Sequence, residues 1–194
     1  MQMKIVQAGV PVLRQAARPL SRKEIRSREI QQLIESMRET MYEAPGVGLA
    51  APQVGLGLQL AVIEDKPEYM KDVSPEALKE RGRSAVPFHV IVNPTITPIG
   101  ESKAEFFEGC LSLAGFTAVV PRALMLKVEC LNHLGEPTII EASGWYARIL
   151  QHEIDHLQGT LYIDRMRSRT FMGLESFNEH WKNKPMRELQ PLLR

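Results

Sequence analysis

The stretch QHEIDHLQG, from Gln151 to Gly159, constrains the fold more than any other, because it sets two imidazoles and a carboxylate on one helix. The segment SGWYARILQHEIDHLQG has the apolar spacing of an amphipathic helix, with Ser143 as the expected N-cap and Gly159 just beyond the end. At 3.6 residues per turn, positions four apart lie about 40° apart around the axis. His152 and His156 therefore project from nearly the same face and can bind one cation.

Glu153 lies about 100° from His152 around this helix. It is poorly placed as a ligand but can reach a water molecule beside the metal, which is the division of roles in H-E-x-x-H. The alternative is an amphipathic helix with polar residues facing solvent. The apolar neighbours Ile149, Leu150 and Ile154 predict a largely enclosed helix, where unpaired ionisable groups would be destabilising. This favours a metal.

This motif alone does not determine the third protein ligand of the metal. A catalytic site of this kind uses three protein ligands and one position for water. One metalloprotease class requires a histidine where Tyr162 stands, so that class is excluded. Another class takes a glutamate from a later helix, for which Glu175 or Glu179 is available. The other candidate is the thiolate of Cys110 in FFEGCLSL, since thiolates bind iron and zinc strongly. Cys130, in KVECLN, is interpreted as a buried small apolar residue.

Composition limits the function class further. The 194 residues are 44% hydrophobic and 24% charged, as in a globular domain with a substantial core. Lys plus Arg number 24 against 23 Asp plus Glu, so no specific nucleic-acid binding is expected. No apolar run approaches the roughly 20 residues that span a bilayer, so no membrane association is expected either.

The cysteine count and the start of the chain bear on location. Two cysteines provide no disulfide framework and favour a reducing compartment. The start, MQMKIVQAGVPVLRQ, lacks the apolar core of a signal peptide and the Arg- and Ser-rich helix of a transit peptide. We expect a bacterial cytoplasmic protein. The alternative is a mitochondrial or plastid chain whose leader has been removed.

The first long helix is predicted within PLSRKEIRSREIQQLIESMRETMYEAPG. Ser21 and Glu24 fit a capping box, and Pro45 with Gly46 ends the helix. Its buried stripe is predicted to contain Ile30, Leu33, Ile34, Met37 and Met41.

The rest of the chain reads as strands broken by turns. A glycine-rich loop leads into a strand around Leu58 to Glu64, and a charged surface insertion follows from Lys66 to Pro87, with a short helix after Ser74. From Phe88 to Glu141 the residues are β-branched and aromatic, with NHLGEP as a hairpin turn. TLYIDRM is predicted to add a strand and GLESFNEHW a short helix. Strands followed by a helix, without βαβ alternation, predict an α+β fold.

The loop GVGLAAPQ does not fit a phosphate-binding loop. It lacks G-K-[ST], and G-x-G-x-x-G fails at Ala51. We interpret it as a rim that lets a substrate backbone lie close. Gln53 is then an uncharged donor able to stabilise an oxyanion. In EGCLS, Gly109 lets the strand bend, and Glu108 is expected to pair with Arg122 of VVPRA.

Together, three complete motifs resemble those of the peptide deformylases. They are GVGLAAPQ (46–53), EGCLS (108–112) and QHEIDH (151–156), in the family's order. The resemblance covers about residues 3 to 170, including GVPVLRQAARPL, and not the tail after Phe171. It implies antiparallel sheets packed around the central long helix that carries the motif. The domain expected is a single catalytic one over residues 1–170, with a part-helical tail over residues 171–194.

The resemblance also implies an activity: removal of the formyl group from the N-terminal formylmethionine of new polypeptides. One metal would be held by Cys110, His152 and His156, with Glu153 as acid and base. The metal implied is Fe2+ in the cell, with Zn2+, Ni2+ or Co2+ able to replace it in a purified sample. The implied oxyanion donors are the Gln53 amide and the Leu111 backbone N–H. The implied substrate-binding residues are Gly46, Val47, Gly48, Gly109, Trp145 and Tyr146.

Some features depart from the family's bacterial pattern. Thr117 stands where many bacterial members carry an arginine. SGWYARILQHEIDH and the 66–87 insertion are more similar to the plant and mitochondrial branch and its bacterial relatives. The partners implied are formylmethionyl nascent peptides. The basic residues of the tail are the candidates for a ribosome contact: Lys182, Lys184, Arg187 and Arg194.

Two other classes stay open from sequence. The first is a metallopeptidase with Glu175 or Glu179 as third ligand. The second is a non-catalytic, metal-stabilised binding module, which needs a fourth protein ligand.

Overall fold

The computed structural model describes residues 3–182 and 184–189. Arg194 of the predicted basic tail lies outside the described residues. The helices described are α1 (Arg22–Ile25), α2 (Arg28–Glu43), α3 (Pro75–Arg81), α4 (Gly144–Leu157) and α5 (Leu174–His180). The strands described are β1 (Gly48–Ala50), β2 (Leu60–Asp65), β3 (Val86–Pro98), β4 (Lys103–Cys110), β5 (Leu113–Ala123), β6 (Met125–Leu131), β7 (Pro137–Ser143) and β8 (Met172–Gly173).

The strands form two antiparallel sheets, which confirms the α+β prediction. The larger sheet has the order β1-β2-β3-β6-β7 and the smaller has the order β4-β5-β8. Helix α4 contacts five strands of the larger sheet and β5 of the smaller one. The helix that carries QHEIDH therefore lies between the two sheets, as the resemblance implies. Among the described residues, no helix has the length and apolar character needed to cross a membrane.

The larger sheet has a long helix on each face. On β2, Ala61 and Ile63 pack in one apolar cluster with α4, whereas Leu60 and Val62 pack in another with α2. Successive side chains of a strand point to opposite faces, so both faces of β2 are buried. This double burial is why the strand reads as an unbroken apolar run.

The predicted N-terminal helix is two helices. Ser21 and Glu24 form the expected capping box at the start of α1. A second helix then begins, because the Ser27 side chain accepts a hydrogen bond from the backbone N–H of Ile30 and caps α2. Helix α2 ends at Glu43, just before the predicted Pro-Gly stop. Of the predicted stripe, Leu33 is only partly buried, and the buried members are Ile30, Ile34, Met37 and Met41.

Two short segments differ from prediction. Part of the glycine loop forms β1, in which Gly48 pairs with Ile63 of β2. Three residues containing a glycine are too few to show the alternation of a strand. The predicted strand TLYIDRM is wrong, since Tyr162–Asp164 is a 3-10 turn, closed by the Asp164 side chain accepting from the Leu161 N–H. Local capping takes precedence there over β propensity.

The remaining elements follow the prediction closely. Ser74 caps α3 within the charged insertion, as predicted. The insertion ends before its predicted limit at Pro87, because Val86 and Pro87 already belong to β3. Strands β6 and β7 form a hairpin whose connecting residues lie within NHLGEP. Gly159 has a positive φ of 72° just after α4. Ser143 occupies the N-cap position without a side-chain capping bond.

The tail continues the smaller sheet. Strand β8 pairs with β5 through Phe116 opposite Gly173 and Thr117 opposite Met172. Helix α5 follows directly and confirms the predicted helix in GLESFNEHW. The third strand of this sheet is therefore supplied by residues to which the resemblance does not extend.

Candidate metal centre and its cavity

Three predicted ligands meet where the smaller sheet faces α4. The donor atoms of Cys110, His152 and His156 all lie within 4.8 Å of one another. Cys110 ends β4, and the β4–β5 register shifts between Gly109 and Cys110. Such irregularities often lie beside functional sites. The Cys110 Sγ is 3.3 Å from His156 Nε2.

The alternative third ligands do not join this group. Glu175 and Glu179 are exposed on α5. Within residues 3–182 and 184–189, Cys110, His152 and His156 form the single group of three donors. A fourth protein ligand, which a purely structural metal site needs, is also not found among those residues.

The chemistry of the donor set fits a divalent transition metal. A sulfur and two imidazoles suit iron or zinc, whereas calcium and magnesium prefer oxygen. Burial lowers the pKa of His156 well below its usual value, which keeps the ring neutral for coordination. Burial also disfavours the charged form of His152, but hydrogen bonds with Cys110 and Glu108 outweigh it and raise the pKa of His152. A cation bound there would compete with a proton on His152, because coordination needs the neutral imidazole.

Glu108 orients His152. Its Oε2 lies 3.0 Å from His152 Nδ1, which directs the other ring nitrogen towards the donor group. The expected ion pair with Arg122 is present, with both N–O distances 2.9 Å. Burial alone would raise the pKa of Glu108, but its bonds from Arg122 and His152 reverse the shift and hold the pKa low. The carboxylate thus stays charged in a buried site.

Two further residues complete this buried network, and sequence reasoning missed both. Arg148 Nη1 donates to Glu108 Oε1 at 2.7 Å and to the Val120 carbonyl at 2.8 Å. Asp155 accepts from Arg122 Nη1 at 2.5 Å. A signal was available, because Arg148 is four residues before His152 and Asp155 three after it, on the same helical face.

Glu153 lies beside the donor group in an apolar setting. Its side chain is buried, and its Oε2 has no hydrogen-bond partner among the described residues. Burial raises the pKa of Glu153 to about 7, partly offset by His152. A carboxylate with a pKa near neutrality can both accept and return a proton. The crowding is severe: a Cβ at Gly48 would lie 2.2 Å from Glu153 Oε1.

Gln53 presents its amide nitrogen to the cysteine. The Ala50 N–H donates to Gln53 Oε1 at 2.9 Å, which fixes the amide and leaves Nε2 3.6 Å from Cys110 Sγ. Nε2 also lies 3.4 Å from Ser112 Oγ. Leu111 follows the cysteine, and its carbonyl accepts from Gln7 Nε2 at 2.9 Å. Gln53 and Leu111 both line the cavity that also contains Cys110.

A cavity of about 490 Å³ opens onto this group. Of the six predicted substrate-binding residues, Tyr146 lies outside the lining, and its hydroxyl bonds to His89 Nε2 at 3.0 Å. Sequence reasoning missed lining residues from distant strands and from the tail, including Phe107, Phe116 and Leu174. Ile149 also lines the cavity, and its spacing of three from His152 was the one local signal. The predicted residues in the lining are Gly46, Val47, Gly48, Gly109 and Trp145.

Comparison with known proteins decides the family. The family model described as polypeptide deformylase matches residues 2–171. The chain belongs to the peptide deformylase family. Members of this family are metallo-hydrolases, in keeping with the Cys110, His152 and His156 group.

The curated relatives include plant, bacterial and human proteins. The chain is 47% identical over 174 residues to peptide deformylase 1A, chloroplastic, of Solanum lycopersicum, an alignment covering 90% of this chain and 63% of the relative. The chain thus spans less than two thirds of that relative's length. It is 45% identical over 179 residues to peptide deformylase 1 of Streptomyces coelicolor, covering 92% of this chain and 80% of the relative.

Solved structures agree with the family assignment. The Met-Ala-Ser-bound class I type b peptide deformylase of Acinetobacter baumannii is similar at a TM-score of 0.76 and 33% identity, covering 86% of this chain and 99% of that one. The peptide deformylase of Thermotoga maritima is similar at a TM-score of 0.70 and 36% identity, covering 86% of this chain and 98% of that one. The central helix between two antiparallel sheets is therefore the fold of this family.

Proposed function

We propose that this chain removes the formyl group from the N-terminal formylmethionine of newly made polypeptides. The family match and the many relatives named peptide deformylase support this reaction. The observation that carries the proposal is the convergence of Cys110, His152 and His156 beside the buried carboxylate of Glu153.

Cys110, His152 and His156 would hold one divalent cation. We propose Fe2+ in the cell, with Zn2+, Ni2+ or Co2+ able to occupy the same donors in a purified sample. A cation held there would lower the pKa of a bound water from about 15.7 towards about 7, which supplies hydroxide near neutral pH. Glu108 would keep His152 in the tautomer that faces the donor group.

Glu153 would move the proton. It would take one from the attacking water. When the bond between the formyl carbon and the methionine nitrogen breaks, it would give that proton to the nitrogen. The raised pKa of Glu153, about 7 as a result of burial, supports both halves of that transfer near neutral pH.

Gln53 and Leu111 would stabilise the negative charge that develops on the formyl oxygen. The fixed orientation of the Gln53 amide supports its role as a donor, and the backbone N–H of Leu111 is the second donor proposed. One such donor is typically worth about 2.7–4 kcal/mol of barrier. A tight cavity beside the donor group would admit formyl, the smallest acyl group, and would exclude acetyl by its size.

The cavity would take the methionine side chain. We propose Gly46, Val47 and Gly48 along one wall and Gly109 with Trp145 on the other, since these residues line the cavity and are mostly small or apolar. Tyr146 would have no direct contact with the substrate, because it does not line the cavity and its hydroxyl contacts His89. Specificity for methionine follows from an apolar pocket that opens directly onto the reacting group.

Domain limits and location are also proposals. We propose a catalytic domain over residues 1–170, supported by the match over 2–171, and a tail over 171–194. Relatives include chloroplastic, mitochondrial and bacterial proteins, and we propose the bacterial cytoplasm. Lys182, Lys184 and Arg187 would provide a ribosome contact near the substrate.

The deciding experiment joins an assay to elemental analysis. Protein purified without oxygen should release formate from formyl-Met-Ala-Ser and contain one divalent metal per chain. Cys110→Ser should lose both metal and turnover, whereas Cys130→Ser should keep both. Loss of activity in air would identify iron, since a zinc site would stay active.

The same experiment separates the alternatives. Cleavage of unformylated peptides, with metal retained in Cys110→Ser and lost in Glu175→Gln or Glu179→Gln, would indicate the metallopeptidase instead. Bound metal with no turnover of any peptide would indicate a binding module.

A further inference from the structure

The N-terminal segment, residues 6–8, joins the segments that contain Gln53 and Ser112. The Val6 backbone N–H donates to the Gln53 carbonyl at 2.9 Å, and the Ala8 N–H donates to the Ser112 carbonyl at 2.8 Å. Residues 6–8 lie outside the helices and strands described, so these bonds belong to no sheet ladder. The position of the N-terminal segment is therefore set by its contacts with the candidate site.

The side chain of Gln7 closes the turn that follows Cys110. Its Nε2 donates to the Leu111 carbonyl at 2.9 Å, and its Oε1 accepts from the Ala114 N–H at 3.2 Å. Both ends of one amide are thus used, on residues 104 and 107 positions away in the chain. Gln7 itself is exposed and does not line the cavity, so it has no direct contact with a substrate held there.

The peptide bond between Leu111 and Ser112 carries this constraint to the sulfur of Cys110. Gln7 holds its C=O, and its N–H, that of Ser112, donates to Cys110 Sγ at 3.4 Å. A peptide unit is planar, so fixing the carbonyl also fixes the direction of the N–H. Ser112 is fully buried, so water does not compete for this N–H. The other donor near the sulfur, Gln53 Nε2, is farther away at 3.6 Å.

We propose that Gln7 is a positioning residue for Cys110, because it aims the Ser112 N–H at the sulfur that would bind the cation. This inference rests on the proposed function, in which Cys110 is a metal ligand. A hydrogen bond to a thiolate stabilises its negative charge and reduces the electron density that the sulfur donates to a metal. Loss of an outer group that orients a ligand typically lowers metal affinity or activity by about 10–100-fold.

The test compares Gln7→Met with the unmodified protein, both stripped by a chelator and reloaded with Co2+. Methionine is as long as glutamine but has no N–H to donate. With the Ser112 N–H no longer held in place, the sulfur should give up an electron more readily. The thiolate-to-cobalt charge-transfer band should therefore move to longer wavelength, and a competitive chelator should show Co2+ affinity lower by about tenfold. For formyl-Met-Ala-Ser, kcat should fall and KM should stay the same.

Gln7→Glu tests which end of the amide matters. A carboxylate can still accept from the Ala114 N–H, but it cannot donate to the Leu111 carbonyl. Gln7→Glu should therefore show the same band shift and the same loss of Co2+ affinity as Gln7→Met.

The matched control is Gln31→Met. Gln31 Nε2 also donates to the backbone, to the Ile25 carbonyl at 2.7 Å and the His133 carbonyl at 2.9 Å, and Gln31 does not line the cavity. Gln31→Met should lose stability to denaturant much as Gln7→Met does. Its charge-transfer band, Co2+ affinity and kcat should match those of the unmodified protein.

Distinct outcomes overturn distinct claims. An unchanged band and Co2+ affinity in Gln7→Met would overturn the positioning role and leave deformylation in place. The same shift in Gln31→Met, or normal behaviour of Gln7→Glu, would also overturn it. If the unmodified protein shows no thiolate-to-cobalt band and releases no formate, the proposed function itself is wrong.

Discussion

Gly48 lies directly against Glu153, and a Cβ at Gly48 would come within 2.2 Å of the carboxylate Oε1. Gly48→Ala must therefore displace the proposed base. A misplacement of about 1 Å can lower turnover by about 10²-fold. We expect kcat to fall to that extent in Gly48→Ala while the metal content measured by elemental analysis stays at the level of the unmodified protein.

Gly57→Ala is the matched control for that variant. A Cβ at Gly57 meets only Val12 Cγ2, at 4.0 Å, an ordinary contact. Its kcat should be unchanged. Equal activity in both alanine variants would remove the steric link between Gly48 and the base.

Glu153→Gln should separate metal binding from proton transfer. The amide cannot accept the proton, so kcat should fall by about 10²–10⁴-fold. Metal content should be retained, because Glu153 is outside the donor group. For the unmodified enzyme, kcat/KM should rise with pH and level off above about 7, as Glu153 loses its proton.

The same substitution changes the pH dependence of stability. Burial raises the pKa of Glu153 from 4.5 to about 7, so the fold binds its proton more tightly than the unfolded chain does. The stabilisation by this proton is complete below pH 4.5 and is lost as pH rises to about 7. In chelator-treated protein at pH 8, the free energy of unfolding of Glu153→Gln should therefore exceed that of the unmodified chain by on the order of 3 kcal/mol. Denaturant unfolding measures this difference. The difference should vanish near pH 4.5.

Arg148→Ala should destabilise the fold and weaken metal binding together. Arg148 donates to Glu108, to the Val120 carbonyl and to the Ala104 carbonyl. Removing one partner of a buried ion pair typically costs about 3–5 kcal/mol. Denaturant unfolding and a competitive chelator titration measure the two effects.

The control for Arg148→Ala is an arginine in an exposed ion pair. Arg18 lies 2.9 Å from Glu24, with 58% and 41% of the side chains exposed. Arg18→Ala should cost less than about 1 kcal/mol and leave metal affinity unchanged. Similar losses in both variants would contradict a special role for Arg148 at Glu108.

The two cysteines should differ in their reactivity with iodoacetamide. Burial raises the pKa of Cys130 to about 11, so little reactive thiolate forms at pH 8. Cys110 is partly exposed in the cavity and should react only after a chelator removes the metal. Mass spectrometry should therefore find one modified cysteine in chelated protein and none in metal-loaded protein, and none in Cys110→Ser under either condition.

Local spacing was enough to predict much of the site. The helical face shared by His152 and His156 follows from their spacing of four. The Glu108–Arg122 pair was expected from its residue types alone, since the strand register places Arg122 opposite Ala104 and Glu108 opposite Ala118. The choice of Cys110 over Glu175 or Glu179 needed either the resemblance or the fold, because the thiol lies 42 positions before His152 in the chain. A local sequence pattern cannot predict a contact between residues so far apart in the chain.

The sequence prediction also missed β1, the Tyr162–Asp164 turn and one wall of the cavity. Three residues pair as β1 only because β2 lies beside them, and the Tyr162–Asp164 turn is set by one capping carboxylate. The extra wall of the cavity comes from Phe116 and Leu174, which meet through the β5–β8 ladder. Burial and pairing with distant strands decided β1 and the cavity wall, whereas a local cap decided the Tyr162–Asp164 turn.

Cys110 ends a strand of the smaller sheet, whereas His152 and His156 belong to the helix packed against the larger one. An ion held by all three would act as a cross-link between the two layers, in addition to the chain connections β3–β4 and β5–β6 and the side-chain contacts of α4. Opening one layer away from the other would then require the ion to leave. Amide hydrogens along β4 and β5 should accordingly exchange with solvent more slowly in the metal-loaded protein, and catalytic competence and resistance to local opening would be lost in the same step.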